Sequence, residues 1–120
     1  MENKRKFLRF NANVKANFGF WGALTPKIND CIIRDVSREG LRVTTKQDLS
    51  KNEKYELELQ LPNDNTPVFF VGKTIWSKPV KGRAYDSGLE ITSIKPQDRN
   101  KLLEYLSDQW IISKKTATSF

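Results

Sequence analysis

The sequence predicts an all-β fold: a small six-stranded antiparallel β-barrel followed by one C-terminal amphipathic α-helix. Three observations support this class. Apolar and polar residues alternate over several short runs, as half-buried strands require. Turn-forming Gly, Pro, Asn and Asp residues separate these runs about every ten residues. After Pro96 the apolar spacing changes to that of a helix. A closed barrel is favoured because it leaves no strand edge exposed.

The six strands follow from the alternating runs. They are predicted at Asn11–Gly22, Lys27–Arg34, Leu41–Thr45, Tyr55–Leu61, Val68–Ser77 and Tyr85–Ile94. The fourth is the most regular, because apolar and polar residues alternate from its first residue to its last. Gly72 lies inside the fifth strand, where glycine often marks a bulge or a close backbone approach.

The two ends of the chain differ from the barrel. Residues 1–10 are predicted to form a basic arm, since Lys4 to Arg9 holds four basic residues in six. Residues 11–95 form the barrel, and residues 96–112 form the helix. Pro96 suits a first helical position, and Asp98 suits the dipole of the first turn. Residues 113–120 are a polar tail. The whole chain, 1–120, is expected to be a single domain.

Composition limits the possible functions. There are 21 Lys and Arg residues against 14 Asp and Glu, a net charge of +7, which favours an anionic partner. The chain has no histidine, which removes the commonest general base and metal ligand. The single cysteine, Cys31, lies in an apolar strand and is expected to be a small core residue. We therefore expect no enzyme and no metal site.

No run approaches the roughly 20 apolar residues of a membrane helix, and the chain does not open with a signal-peptide pattern. A soluble cytoplasmic protein is expected.

Two short motifs carry the functional prediction. Arg5 and Arg9 are spaced as Arg-x-x-x-Arg in the basic arm, and guanidinium groups bind phosphates and stack on purines. Residues 35–40 read Asp-x-Ser-x-x-Gly between two apolar strands, a composition typical of a tight turn in which glycine permits positive φ. A carboxylate there can accept hydrogen bonds from a nucleobase. The pair predicts a ligand with both phosphates and base edges.

Together these motifs, in this order, resemble the paired signature of the PilZ domain, a bacterial receptor for cyclic di-GMP. The resemblance covers nearly the whole chain, since the order of strands and the terminal helix agree as well. It implies that Arg5 and Arg9 bind the phosphates and guanine faces of the ligand. It also implies that Asp35, Ser37 and Gly40 line the base-binding face.

Five further residues are secondary candidates for ligand contact: Lys4, Lys6, Arg38, Arg42 and Trp76. The family includes members that bind a stacked pair of ligands, and a basic residue such as Lys4 would suit the added charge. Arg38 and Arg42 flank the turn and are either part of the site or simply solvated. The three Trp residues are expected to pack in the core or against the helix, with Trp76 as the expected exception that stacks on a base.

The sequence thus predicts a non-enzymatic cyclic di-GMP receptor whose arm closes over the ligand and is then recognised by a separate effector protein. Two alternatives stay open. One is a PilZ-like adaptor that binds protein and no nucleotide. The other is a small basic barrel that binds single-stranded nucleic acid. The second is disfavoured, because the aromatic residues fall on apolar faces and no exposed aromatic row is expected.

Overall fold

The computed structural model describes residues 9–23, 29–37, 40–61 and 66–105. Within these ranges the chain forms six strands and one helix, α1, at residues 96–105. The strands are β1 Arg9–Phe20, β2 Asn29–Ser37, β3 Gly40–Thr45, β4 Lys54–Leu59, β5 Val68–Val80 and β6 Ala84–Ile94. They close into an antiparallel barrel in the order β1-β2-β3-β6-β5-β4. The predicted fold class is confirmed.

The barrel interior is filled by the apolar side of each alternating run. In β4, Tyr55, Leu57 and Leu59 are buried, while the glutamates between them are more exposed. Cys31 belongs to the same core, as predicted, and burial raises the pKa of its thiol to about 12. Leu102 of α1 is 3% exposed and joins this cluster, so the helix packs its apolar side on the barrel.

The start of α1 is fixed by two features that the sequence predicted. Pro96 is the first helical residue, and the backbone N–H of Arg99 donates to the carbonyl of Lys95 at 2.9 Å. Asp98 lies in the first turn but is buried, and its Oδ2 accepts from the backbone N–H of Phe69 at 3.5 Å. Asp98 therefore ties the helix to the start of β5. The predicted continuation of the helix to Ile112 lies outside the described residues.

Several predicted boundaries were wrong. β1 begins at Arg9, because residues 9–11 pair with residues 35–37 of β2, and it ends at Phe20. β2 extends three residues further than predicted, to Ser37, while its predicted start at Lys27 lies outside the described residues. β4 ends at Leu59, while β5 continues to Val80. Pro79 is tolerated within β5 because the ladder to β4 stops at Lys73, which leaves β6 as the paired neighbour beyond it.

Four register shifts interrupt strict pairing among the described strands. One in β1 lies between Asn11 and Val14, and one in β2 lies between Ile33 and Asp35. The pairing of β5 with β6 shifts at Val71 and Gly72, but the extra residue there is Thr92 of β6, so the bulge expected at Gly72 lies on the partner strand. A second shift places Ile75 of β5 as an extra residue between Thr74 and Trp76. Bulges bend a strand and re-aim its side chains.

Among the described residues, the structure has no helix with the length and apolar character that a membrane crossing requires.

Candidate functional site

The Asp-x-Ser-x-x-Gly motif spans the junction of β2 and β3. Asp35 and Ser37 were predicted in a turn, but both lie in β2, where Asp35 pairs with Arg42 and Val36 pairs with Leu41. Only residues 38 and 39 separate the two strands. The site therefore begins on a hydrogen-bonded ladder, which holds side chains more firmly than a loop does.

Gly40 is required for space and not for a left-handed backbone. Its φ is not positive, in contrast with Gly22 at +84° and Gly82 at +83°. A Cβ at Gly40 would lie 2.6 Å from the backbone carbonyl oxygen of Leu89 on β6. The Gly40 carbonyl also accepts a hydrogen bond from Ser37 Oγ at 3.3 Å. Gly40 thus allows β3 to approach β6 and closes the corner of the motif.

The β2 bulge sets the direction of Asp35. Ile33 and Val36 are buried in the core, whereas Arg34 and Asp35 between them both reach polar partners on the outer face. Two successive outward residues are possible because the bulge inserts one residue between two inward positions. Strict alternation would have placed one of these two side chains inside the barrel.

Arg42 joins Asp35 to a second carboxylate that the sequence analysis did not identify. Its Nε donates to Asp35 Oδ2 at 2.9 Å, and its Nη1 donates to Asp86 Oδ2 at 2.9 Å. The hydrogen bond to Asp35 is the main reason that the pKa of Arg42 is raised. Arg42 is therefore not simply solvated, because its guanidinium binds two carboxylates. Asp35 is 8% exposed, and its ion pair with Arg42 offsets the cost of burying the charged carboxylate.

The network continues to the bulge of β1. Thr44 Oγ1 donates to Asp86 Oδ1 at 2.7 Å and accepts from Arg34 Nε at 3.0 Å. Arg34 Nη1 in turn donates to the side-chain oxygen of Asn13 at 3.1 Å. Asn13 has a φ of 51°, in a region that asparagine tolerates better than most residues. We call the six linked side chains the polar network: Asn13, Arg34, Asp35, Arg42, Thr44 and Asp86.

Trp76 lies on the same row of the sheet as Asp35. The register joins Asp35 to Arg42, Arg42 to Gly88, and Gly88 to Trp76, across β2, β3, β6 and β5. At about 4.8 Å between neighbouring strands, this row runs roughly 14 Å along the curved wall of the barrel. The row carries a carboxylate at one end and an indole at the other. Because β2 and β5 lie opposite each other in the six-strand order, the two ends do not share one flat surface.

Gly88 allows the Trp76 indole to lie flat on this row. A Cβ on Gly88 would lie 2.2 Å from Trp76 Nε1, so any larger residue would displace the ring. Trp76 is 40% exposed, and the Lys78 ammonium lies 5.6 Å from its ring centroid. The expectation that Trp76 is an exposed exception agrees with this placement. Whether it stacks on a base stays a prediction.

Phe18 and Tyr55 are buried as expected, but the expectation was wrong for two other aromatic residues. Trp21 is 57% exposed and Phe20 is 59% exposed, although both were expected on apolar packing faces. Phe20 is the last residue of β1 and stacks on Tyr55 with ring centroids 5.3 Å apart, and Trp21 follows it directly. The Lys54 ammonium lies 5.2 Å from the Trp21 ring centroid. Trp110 lies outside the described residues.

The paired-arginine motif meets the second motif at the first residue of β1. Arg9 pairs with Ser37, and Asn11 pairs with Asp35. The arm therefore reaches the barrel directly beside the Asp-x-Ser-x-x-Gly residues. Arg5, Lys4, Lys6 and Arg38 lie outside the described residues. Arg99 and Ser37 line a cleft of about 350 Å³ between β6 and α1, which adds one more basic residue next to the motif.

Within the described residues, no group of three or more His, Cys, Asp or Glu side chains could hold a metal ion.

The chain is similar to known proteins in sequence pattern and in fold. The sequence model of the PilZ domain matches residues 3–108. No curated protein matches the chain. Among solved structures, the PilZ domain with c-di-GMP of YcgR from Escherichia coli matches with a TM-score of 0.71 at 10% identity, covering 98% of this chain and 100% of that one.

Two longer proteins also match. The Bacillus subtilis inhibitor of motility, MotI/DgrA, gives a TM-score of 0.70 at 16% identity, over 92% of this chain and 53% of that chain. The Borreliella burgdorferi PlzA protein in complex with c-di-GMP gives a TM-score of 0.56 at 19% identity, over 87% of this chain and 41% of that chain. This chain thus spans about half or less of these two proteins. At such identities the likeness is one of fold.

Proposed function

The chain belongs to the PilZ domain family, and we propose that it is a receptor for cyclic di-GMP that changes the position of its N-terminal arm when the ligand binds. The observation that carries this proposal is the pairing of Arg9 with Ser37. It brings the two family motifs to one corner of the barrel, although they are more than twenty residues apart in sequence. The proposal includes no catalytic step and assigns the protein to the cytoplasm.

Each motif suits one part of the ligand. Asp35 presents a carboxylate that accepts the N1–H and N2–H₂ donors of guanine, a pair that adenine does not offer. Arg5 and Arg9 supply guanidinium forks for the phosphates and the guanine faces, and Lys4, Lys6 and Arg38 add positive charge nearby. The exposed face of Trp76, on the same row as Asp35, is available for stacking. Ser37 and Gly40 shape the corner on which the nucleotide rests.

Arm closure is the proposed conformational response. The four basic residues between Lys4 and Arg9 repel one another without an anion. Two phosphates would cancel this repulsion and offer contacts whose geometry requires the arm to fold over the ligand. The closed arm would then present a surface that a separate effector protein recognises.

Calorimetric titration with cyclic di-GMP, cyclic di-AMP and GTP at two salt concentrations tests the receptor function. We expect saturable binding of cyclic di-GMP and much weaker binding of the other two nucleotides. Asp35→Ala should reduce the preference for cyclic di-GMP over cyclic di-AMP more than Arg9→Ala does, because phosphate contacts do not distinguish the bases. If Asp35→Ala keeps the wild-type preference for cyclic di-GMP over cyclic di-AMP, Asp35 stabilises the barrel and does not recognise the base.

Hydrogen exchange tests the closure. Amides of residues 4–8 should exchange fast in the free protein and slowly with saturating cyclic di-GMP. Residues 9 and 10 are expected to be protected in both states, because they pair with β2. The strand Lys54–Leu59 serves as an internal control that should not change. Protection of residues 4–8 without ligand would contradict closure even if binding were confirmed.

A second candidate function is the binding of single-stranded nucleic acid, which the exposed side chains of Phe20, Trp21 and Trp76 favour. An oligonucleotide titration separates the two functions. A nucleic-acid barrel would bind single-stranded DNA with an affinity that falls steeply with salt and would not discriminate between the two cyclic dinucleotides. The adaptor that binds no nucleotide would give no heat with any of these ligands.

A further inference from the structure

We propose that Asp86 is a positioning residue for base recognition: it orients the Arg42 guanidinium, which in turn fixes the Asp35 carboxylate as a hydrogen-bond acceptor on the outer face of the barrel. The inference rests on the proposed function and adds a residue that belongs to neither family motif.

The guanidinium of Arg42 transmits orientation from Asp86 to Asp35. Its Nη1 is bound to Asp86 and its Nε to Asp35, each at 2.9 Å. Because the guanidinium is planar and rigid, fixing Nη1 also fixes the direction in which Nε–H points. The position of the Asp35 carboxylate therefore depends on a residue that lies two strands away in the barrel.

Asp86 is itself held firmly enough to act as an anchor. One of its oxygens accepts from Arg42 and the other accepts from Thr44 Oγ1 at 2.7 Å. Thr44 pairs directly with Asp86 across β3 and β6 and is also bound by Arg34. The Asp86 side chain is 14% exposed, so water has limited access to it. These contacts leave Asp86 little freedom to rotate.

The Asp35 carboxylate has more acceptor sites than Arg42 Nε occupies. An ionised carboxylate offers about four lone-pair sites, so binding Arg42 Nε does not prevent a base from donating to the same group. Arg42 and a guanine edge can therefore share Asp35. Asp86→Asn replaces one of the two acceptor oxygens by an N–H₂ donor, so the side chain can no longer accept from both Arg42 Nη1 and Thr44 Oγ1. The Arg42 guanidinium is then no longer held toward Asp35.

Whether the loss of the Asp86 charge weakens or tightens ligand binding distinguishes positioning from simple electrostatics. Removing a negative charge close to an anionic ligand should tighten binding if charge alone matters. Positioning predicts the opposite for Asp86→Asn. Glu90→Gln is the matched control, because Glu90 lies on the same strand, is exposed and loses the same charge.

The experiment measures the affinity of both variants and of the wild type for cyclic di-GMP and cyclic di-AMP by calorimetry. We expect Asp86→Asn to weaken cyclic di-GMP binding about tenfold, the effect of one charge-assisted hydrogen bond, and to lower the preference over cyclic di-AMP. Glu90→Gln should bind cyclic di-GMP as tightly as the wild type or slightly more tightly. Thr44→Val, which removes the hydroxyl that anchors Asp86, should show a smaller loss in the same direction and replaces Asp86→Asn if that variant does not fold.

A readout on the free protein tests the same geometry without ligand. In ¹⁵N–¹H NMR spectra the Arg42 Nε–H should exchange slowly in the wild type and in Glu90→Gln, and fast in Asp86→Asn. Slow exchange in Asp86→Asn would overturn the inference whatever the ligand does. If the wild type binds and Asp86→Asn binds equally well or more tightly, the inference fails alone. If the wild type does not bind cyclic di-GMP, the proposed function fails and the inference fails with it.

Discussion

The interior of the barrel and the outer face of β2, β3 and β6 use the same strands in different ways. Inside, Ile33, Val43 and Leu89 pack with other apolar residues, and stability depends on the area they bury. Outside, the polar network links side chains from β1, β2, β3 and β6 through short hydrogen bonds, and its two carboxylates and two guanidinium groups are partly exposed.

This difference separates stability from recognition. Apolar packing has no direction, so the interior tolerates small adjustments, whereas hydrogen bonds and ion pairs depend on distance and angle. Changes inside should therefore alter the free energy of unfolding and leave ligand preference intact. Changes on the outer face should alter ligand preference and leave the free energy of unfolding nearly unchanged. Four predictions test how far this separation holds.

The largest expected effect is on the interior. Leu57 is 1% exposed, so Leu57→Ala should lower the free energy of unfolding by about 2–5 kcal/mol, through lost burial and the cavity left behind. Chemical denaturation measures this loss. Affinity for cyclic di-GMP well below the unfolding transition should stay within about twofold, as expected of distant sites. Glu58→Ala, on the outward side of β4, is the control and should change stability little. A large loss of affinity in Leu57→Ala would break the separation.

On the outer side, Arg5→Ala or Arg9→Ala should weaken cyclic di-GMP binding by about 1.5–3 kcal/mol, the range for hydrogen bonds to charged groups. The unfolding temperature without ligand should barely change, because surface substitutions rarely affect stability. Lys15→Ala removes the same charge from an exposed site on β1 and should weaken binding much less. If all three variants lose the same affinity for cyclic di-GMP, Arg5 and Arg9 contribute only general electrostatic attraction.

At Gly40 a single substitution is expected to affect both the stability of the barrel and the binding of the ligand. Gly40→Ala places a methyl group 2.6 Å from the Leu89 carbonyl oxygen, and a backbone atom cannot move aside without separating β3 from β6. We expect a loss of about 1–3 kcal/mol in stability together with weaker cyclic di-GMP binding. Gly82→Asn is the control, because nothing lies within 4 Å of the added Cβ and asparagine tolerates a positive φ. Wild-type stability in Gly40→Ala would show that the strands can part.

The smallest expected effect is a gain in stability. Thr74 Oγ1 is buried and has no hydrogen-bond partner within the described part of the chain. Thr74→Val should therefore raise the free energy of unfolding by about 1 kcal/mol, because it removes an unsatisfied hydroxyl at similar volume. Thr45 is equally buried but donates to the Gln47 carbonyl, so Thr45→Val should lower stability. Changes of the same sign in both variants would contradict this account.

Local sequence determined the fold class and much of the fold. Alternation predicted the inward residues of β4 because the pleat of a strand has a period of two. Pro96 predicted the start of α1, since proline fits the first helical position without loss of a hydrogen bond. Cys31 was predicted to be buried because it lies in an apolar run. These features depend on neighbours in sequence.

The placement of the site was decided by tertiary structure. Strand pairing, which joins residues far apart in the chain, put Asp35 and Ser37 on a ladder instead of in a turn, and brought Asp86 to Arg42. The β2 bulge turned Arg34 and Asp35 to the same face, and no local pattern marked it. Gly88 lies against the Trp76 indole only because β5 and β6 are in register, and no local pattern marked this contact. Sequence encodes the motifs, and the register of the closed barrel decides which side chains they meet.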